Sequence, residues 1–163
     1  MKVSVMLLAC IFSTAITFAQ LTATPVCPAF SVDLLEGMVN ERLECISTPG
    51  EVKKLFPCFT SEVEETNGST CGGVFYKEKD ISFYTERDYI EINGNFKGSL
   101  APSLLGTNRD GLFRILGNPK LKDAAWDAFQ TKYGTLVLYY DKAGKINKIQ
   151  MTNKSTATLK LCN

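Results

Sequence analysis

The stretch Thr48–Tyr84 has the sequence TPGEVKKLFPCFTSEVEETNGSTCGGVFYKEKDISFY and decides the predicted fold. Thr48 and Glu51 fit the S/T-x-x-E pattern of a capping box, so we expect a helix to begin here. Pro57 ends that helix because proline has no backbone N–H to donate. A polar loop then leads into two apolar runs, Val74–Tyr76 and Ile81–Tyr84, which are predicted strands. The predicted order is therefore helix, loop, strand and strand.

A similar order of elements follows between Thr107 and Met151. A helical stripe of apolar residues stops at Gly117, and a polar loop that contains Trp126 comes next. Strands are predicted at Gly134–Tyr140 and Ile146–Thr152, with a hairpin turn between them. The second half of the chain thus repeats the pattern of the first half.

Outside these stretches, the apolar spacing of Val32–Ile46 predicts another helix, and Arg87–Ile92 is a predicted strand. Ile90–Ile92 corresponds to Ile149–Met151, and Asn93-Gly94 marks the boundary between the halves. Residues 96–105 are expected to form a weak helix or turn, and residues 156–161 an edge strand. The predicted fold class is α+β: two tandem helix-helix-antiparallel-sheet units, residues 20–93 and 94–163, that share a core.

The start of the chain is typical of a signal peptide. Lys2 precedes the apolar run Val3–Phe18, and a small-x-small site comes before Gln20, so residues 1–19 are predicted to be removed. A retained membrane anchor is the alternative, as is a lipid-bearing Cys10. The mature chain is then expected to be secreted or periplasmic, without a transmembrane segment. Its basic and acidic residues balance, which gives no reason to expect nucleic-acid binding.

Five cysteines follow the predicted signal peptide, and an oxidising compartment favours disulfides between them. Cys58 and Cys71 flank the polar loop, so we expect them to join the end of the helix to the first strand. Cys27–Cys45 is a second choice, with Cys162 as a rival partner for either of these two. An odd number of cysteines leaves one thiol over.

Part of the second half has a recognisable pattern. A helix that ends in Leu-Gly-x-Pro, at Leu116–Pro119, is followed by a strand that runs into Tyr-Asp-x-x-Gly-Lys, at Tyr140–Lys145. This pattern resembles that of SmpA/OmlA-type small envelope lipoproteins, and two such units in tandem are similar to the β-lactamase-inhibitor protein fold. Cys58 and Cys71 match the bridge of the first unit, whereas the second half has no matching pair. The resemblance spans about Val32–Thr152 and implies protein binding rather than catalysis.

The sequence offers little for catalysis. It contains no histidine, which excludes histidine-dependent triads and imidazole ligands for a metal. Glu64-Glu65 is more typical of a solvated loop than of a catalytic pair. Asp80, Glu86 and Asp88 lie near predicted strands and are the only carboxylates kept for an alternative hydrolase. No catalytic residue, cofactor or metal is predicted.

Aromatic residues concentrate on the predicted strands, where alternation sends some of them away from the core. Tyr84, Tyr89, Trp126 and Tyr139 are the predicted binding surface, since tyrosine and tryptophan anchor many protein contacts. The function predicted first is that of an exported, non-enzymatic protein-binding module, with inhibition of a secreted or envelope protein as its specific form. The alternatives are a structural component of outer-membrane or envelope assembly and a carboxylate-dependent hydrolase.

Overall fold

The computed structural model describes residues 25–66 and 71–159, and these residues form a mainly β structure. The predicted signal peptide and Cys162 lie outside the described residues. Eight strands form one sheet and three form another, and the helical segments are short. The prediction of an α+β fold built from helix pairs is therefore wrong.

Two sheets and two α-helices make up this fold. The small sheet contains β1 (Phe30–Asp33), β2 (Met38–Val39) and β7 (Gly98–Ala101) in the order β2-β1-β7. The first half of the large sheet follows α1 (Pro49–Leu55) and contains β3 (Ser61–Val63), β4 (Gly73–Tyr76), β5 (Ile81–Tyr84) and β6 (Tyr89–Asn93). The second half follows α2 (Phe113–Leu116) and contains β8 (Leu121–Lys122), β9 (Trp126–Gln130), β10 (Thr135–Tyr140) and β11 (Ile146–Thr152). Short 3₁₀ turns lie at Lys77–Lys79 and Arg109–Gly111.

The large sheet has the strand order β3-β4-β5-β6-β11-β10-β9-β8. It consists of two four-stranded antiparallel meanders, each preceded by a short helix, that meet where β6 pairs with β11. At this joint Ile92 lies opposite Ile149, and Ile90 lies opposite Met151. The domain boundary between residues 93 and 94 stays a prediction.

The helix predicted at Val32–Ile46 is replaced by β1, β2 and tight turns. Phe30, Val32 and Leu34 are buried at alternate positions, which is the period of a strand. Gly37 and Asn40 have positive φ values of 72° and 50°, which no right-handed helix contains. β1 also pairs in parallel with β7, so a partner far along the chain decides the local structure.

Local signals predicted α1 well, and its bounds confirm the helix that was predicted to begin at Thr48. The Thr48 side chain accepts a hydrogen bond from the Glu51 backbone N–H, and the Glu51 carboxylate accepts one from the Thr48 backbone N–H at 2.8 Å. Val52 and Phe56 point into the core. The predicted hairpin of β10 and β11 is also present, with Gly144 at φ 73° in the turn.

Other expectations of local structure were wrong. The loop that was predicted to hold Trp126 is strand β9, where a buried charge, Asp127, interrupts the apolar pattern. The segment of residues 96–105, predicted as a weak helix or turn, contains strand β7. Residues 156–158 form a turn closed by a hydrogen bond from the Thr158 backbone N–H to the Ser155 carbonyl at 3.0 Å, and not the start of an edge strand.

The small sheet and both helices pack on one face of the large sheet. Phe30 of β1 stacks on Phe56 beside α1 with ring centroids 4.1 Å apart, and meets Tyr76 of β4 edge-on at 5.1 Å. Leu112, next to α2, belongs to the same buried cluster. The core therefore lies between the large sheet and these three elements.

Cys58 is bonded to Cys27, which contradicts the predicted Cys58–Cys71 pair and the second choice of Cys27–Cys45. The segment before β1 passes the end of α1, and this brings the Cα atoms of Cys27 and Cys58 within 5.8 Å. Cys71 also takes part in a disulfide, whereas Cys45 is a buried free thiol. A disulfide is compatible with an extracellular or periplasmic protein. Among the described residues, no helix has the length and apolar character needed to cross a bilayer.

Candidate functional site

The face of the large sheet that points away from the core carries a row of aromatic and polar side chains. Phe83, Ile90 and Ile92 point into the core, so their neighbours Tyr84 and Glu91 lie on the opposite face. Both helices and the small sheet lie on the core side. The same alternation in the paired strands defines what we name the open face: Phe75, Ser82, Tyr84, Tyr89, Glu91, Trp126, Ala128, Val137, Tyr139, Lys148 and Gln150.

A first aromatic cluster lies on β4, β5 and β6. Tyr84 pairs across the strands with Tyr89, and their rings stack with centroids 4.3 Å apart and an angle of 14° between their planes. Phe75 meets Tyr84 edge-on at 5.4 Å. Tyr89 is buried, whereas Phe75 and Tyr84 are partly exposed. Burial, together with the charge of Glu91, raises the pKa of Tyr84 above its ordinary value.

A second cluster lies on β9, β10 and β11. Trp126 pairs across the strands with Tyr139, and Lys148 lies on the other side of Tyr139. The Lys148 ammonium is 4.2 Å from the centroid of the Tyr139 ring, which is the geometry of a cation–π contact. Trp126 and Tyr139 are both partly exposed. The cluster therefore presents two aromatic surfaces beside one positive charge.

Hydrogen bonds run from the second cluster across the joint of β6 and β11 to Glu91, which lies two residues from Tyr89 on β6. The Tyr139 hydroxyl donates to Gln150 Oε1 at 2.8 Å, and Gln150 Nε2 donates to Glu91 Oε2 at 2.7 Å. Lys148 Nζ lies 3.7 Å from the same carboxylate. Gln150 at the centre of this chain of bonds is fully buried, whereas Glu91 and Tyr139 at its two ends are partly exposed. Burial and the Glu91 charge raise the pKa of Tyr139, which keeps its hydroxyl protonated as a donor.

All four residues of the predicted binding surface lie on the open face, as two cross-strand pairs. Sequence reasoning missed Phe75 and the polar centre of Glu91, Gln150 and Lys148. Alternation along β4 could have identified Phe75. The pairing of Glu91 with Gln150 depends on strand register between residues 59 positions apart, and no local signal reports it.

The carboxylates kept for an alternative hydrolase do not come together. Asp80 precedes β5, whereas Glu86 and Asp88 follow it, so about 13 Å of strand separates the two ends. Asp80 accepts a hydrogen bond from the Asn95 backbone N–H at 3.0 Å. Asp88 pairs with Lys154 at 2.6 Å. Each of these carboxylates already has a structural partner.

Glu86 also has a structural partner, although it borders a hollow of about 340 Å³ with Asp88. It accepts a hydrogen bond from the Glu65 backbone N–H at 2.9 Å. Glu65 in turn binds both Nε and Nη2 of Arg87 at 2.9 Å, and this bond lowers the pKa of its carboxyl group. The hollow is thus bordered by groups that hold the β5–β6 turn.

A buried charged cluster lies on the core side of β9. Asp127 accepts hydrogen bonds from Arg109 Nε at 2.9 Å and from the Tyr140 hydroxyl at 2.7 Å, and Arg109 Nη2 also binds it. The Arg109 guanidinium lies 4.7 Å from the Tyr140 ring and donates to the Asp123 carbonyl at 2.6 Å. Because every member is bonded, the cluster anchors the segment before α2 to the sheet.

The described residues include no group of three or more histidine, cysteine, aspartate or glutamate side chains placed to hold a metal ion. No family model matches this chain, and neither a curated protein nor a solved structure resembles it at a significant level. The open face therefore has to be interpreted from its own chemistry.

Proposed function

We propose that this chain is an exported, non-enzymatic binding protein whose open face docks on a protein partner. The observation that carries the proposal is the pair of aromatic clusters on one face, with the hydrogen-bonded centre of Glu91, Gln150 and Tyr139 beside the second cluster. Aromatic side chains held in place bury a large apolar area at low cost in conformational entropy, and tyrosine and tryptophan dominate the energetics of many interfaces.

The dimensions of the open face fit a small protein interface. Its residues lie on six strands, which span about 24 Å at a spacing of about 4.8 Å, and strands of four to seven residues make it about 13–23 Å long. The area of about 300–550 Å² is smaller than the roughly 800 Å² that each partner contributes to a standard interface. Three strand steps, about 14 Å across the sheet, and about 13 Å along the strands separate Tyr84 on β5 from Tyr139 on β10, or about 19 Å in all. Two anchors at this distance fit a folded surface better than a small ligand.

The mechanism that fits this geometry is occlusion. A partner seated on Tyr84, Trp126 and Tyr139 would have that part of its surface covered, and Glu91 and Lys148 would select for its charge. If the covered surface includes the partner's own active site, the chain acts as an inhibitor. The covering requires no chemistry from the chain itself.

Capture from the secreted and envelope fractions of the producing organism tests the proposal. Immobilised wild-type chain is compared with Trp126→Ala and Tyr84→Ala on the open face, and with Phe113→Ala as the matched control. Phe113 is an aromatic residue that is 64% exposed on α2, away from the open face. We expect one partner to be retained by the wild type and the control and lost from both open-face variants.

Two results would contradict the proposal. The first is a partner that both open-face variants retain while Phe113→Ala loses it. The second is the recovery of no partner together with turnover of a hydrolase substrate that Asp88→Asn or Glu86→Gln abolishes. Unchanged circular dichroism of each variant ensures that a lost interaction is not a lost fold.

A further inference from the structure

We propose that Asn153 is an N-glycosylation site that is modified when the chain passes through a eukaryotic secretory pathway. The proposal rests on the export part of the proposed function and is independent of protein binding. Asn153-Lys154-Ser155 fits the acceptor pattern Asn-x-Ser, in which the middle residue is not proline. Such a site requires an accessible amide and a hydroxyl group two residues further on.

The local structure presents this triplet at the surface. β11 ends at Thr152, and Asn153 and Lys154 form a bend that follows it. Asn153 and Ser155 are both exposed. Two contacts with the sheet anchor Lys154. Its carbonyl oxygen accepts a hydrogen bond from the Thr135 hydroxyl at 2.8 Å, and its ammonium group forms an ion pair with Asp88 at 2.6 Å. The anchored middle residue leaves the residues on either side of it facing solvent.

The Asn153 amide is available, in contrast to that of Asn40, an asparagine in another turn. Asn40 Nδ2 donates to the Ala29 carbonyl at 2.9 Å, and its Oδ1 accepts from the Ser31 backbone N–H at 2.8 Å. No hydrogen bond joins the Asn153 side chain to any of the described residues. Asn153 also borders a hollow of about 370 Å³ beside Tyr133, which leaves room for the first sugars of a glycan.

The reaction balances with one co-reactant, an oligosaccharide carried on a lipid diphosphate. Asn153 Nδ2 forms a bond to the anomeric carbon of the first sugar while the bond from that carbon to the diphosphate oxygen breaks. The lipid diphosphate leaves with the bonding electrons, and the amide nitrogen gives up one proton. No oxidant or reductant takes part.

The position of Asn153 is distant from the second aromatic cluster of the open face. Thr152 pairs with Tyr89 and with Thr135, so Asn153 lies at the rim where these strands end. Tyr139 lies four residues further along β10, about 13 Å from that rim. A glycan at Asn153 therefore leaves the cluster of Trp126 and Tyr139 accessible.

Translation of the full chain with endoplasmic-reticulum microsomes tests the proposal. The sequence holds a second acceptor triplet, Asn67-Gly68-Ser69, to which we assign nothing because it lies in the gap between the described ranges. All variants therefore carry Asn67→Gln. Protease protection reports entry into the microsomes, and a mass shift that peptide N-glycosidase reverses reports the glycan.

We expect Asn67→Gln to keep one glycan and to lose it when Asn153→Gln or Ser155→Ala is added. Ser155→Thr is the conservative control and should keep it. Glycosidase treatment in ¹⁸O water should leave a labelled aspartate at position 153. A protected chain without a glycan at position 153 overturns the assignment and leaves protein binding untouched. A chain that stays protease-sensitive overturns both this assignment and the export part of the proposed function.

Discussion

Arg109 and Asp127 form an ion pair whose two partners differ in burial, and this difference predicts an asymmetry. The Asp127 side chain is 4% exposed, whereas that of Arg109 is 24% exposed. Arg109→Gln leaves a buried carboxylate with the Tyr140 hydroxyl as its remaining strong donor. Asp127→Asn leaves a guanidinium that can turn towards water and still donates to the Asp123 carbonyl. We therefore expect Arg109→Gln to be the more destabilising change.

The expected magnitudes follow from these environments. Removing one partner of a buried pair costs about 3–5 kcal/mol, and Arg109→Gln should fall near the lower end because Tyr140 stays bonded. Asp127→Asn should cost about 1–2 kcal/mol, which is typical of hydrogen bonds lost at a partly exposed charge. The double variant should cost less than Arg109→Gln alone, since no charge is then buried without a partner.

Urea unfolding with the disulfides intact measures these costs. With a slope of about 1–3 kcal/mol per molar urea, a loss of 3 kcal/mol moves the midpoint by about 1–3 M. Circular dichroism should follow the same transition as Trp126 fluorescence, because that residue lies next to Asp127. The matched control is Glu62→Gln, which removes the charge of the exposed pair Lys53–Glu62 and should cost less than about 1 kcal/mol.

The reasoning fails if Arg109→Gln costs no more than the control Glu62→Gln. It also fails if Asp127→Asn is the more destabilising of the two single changes. In the first case the cluster contributes nothing beyond surface electrostatics. In the second case, the Asp127 carboxylate tolerates the loss of its partner better than the Arg109 guanidinium does. That result is the opposite of what the burial of the two side chains predicts.

Three further predictions concern single sites. Burial raises the pKa of the Cys45 thiol to about 12, so iodoacetamide at pH 8 should modify Cys45 only after the chain is unfolded, as peptide mass shows. Burial also raises the pKa of Tyr133, so the stability that its phenol contributes is complete below about pH 10 and is lost as the pH rises above it. Tyr133→Phe should flatten that alkaline loss in pH-dependent urea unfolding, and a slope as steep as that of the wild type would contradict the assignment. Gly37→Ala should lower the free energy of unfolding more than Gly144→Ala does. Both positions have positive φ, but only at Gly37 does an added Cβ collide with the Tyr133 ring. Equal unfolding midpoints of the two variants would show that the collision is relieved.

Local signals in the sequence predicted the elements that depend on a few neighbouring residues. The capping box of Thr48 and Glu51 fixes the start of α1, and Asp141 accepts hydrogen bonds from the Ala143 and Lys145 backbone N–H groups in the predicted hairpin turn. The prediction of a helix at Val32–Ile46 failed because the structure there depends on residues far along the chain. Its apolar spacing fits a helix, but pairing of β1 with β7 and the turns at positive φ exclude one. Non-local pairing overrides propensity there.

The candidate site, too, was predictable only where it depends on the local sequence. Alternation along the predicted strands was enough to select Tyr84, Tyr89 and Tyr139, because the direction of a side chain depends only on its place in its own strand. Trp126 was selected as an aromatic residue of a predicted loop, and its place on β9 was not foreseen. The exposure of these side chains was not predictable from alternation, and the structure buries Tyr89. The prediction of the disulfide failed because Cys27 is 31 residues from Cys58, and only the path of the segment before β1 brings the two cysteines together.

The joint between β6 and β11 links the stability of the fold to the geometry of the proposed binding face. It is the pairing through which the two meanders become one sheet, and it carries Glu91 opposite Gln150. The core side of the joint is apolar, with Ile92 opposite Ile149, and contributes burial. The open side carries the hydrogen bonds that orient Tyr139. A change at Gln150 therefore alters the orientation of Tyr139 without touching the apolar core, whereas a change at Ile149 weakens the sheet itself. If the proposed function holds, substitutions on the two faces of this strand pair change partner binding and stability separately.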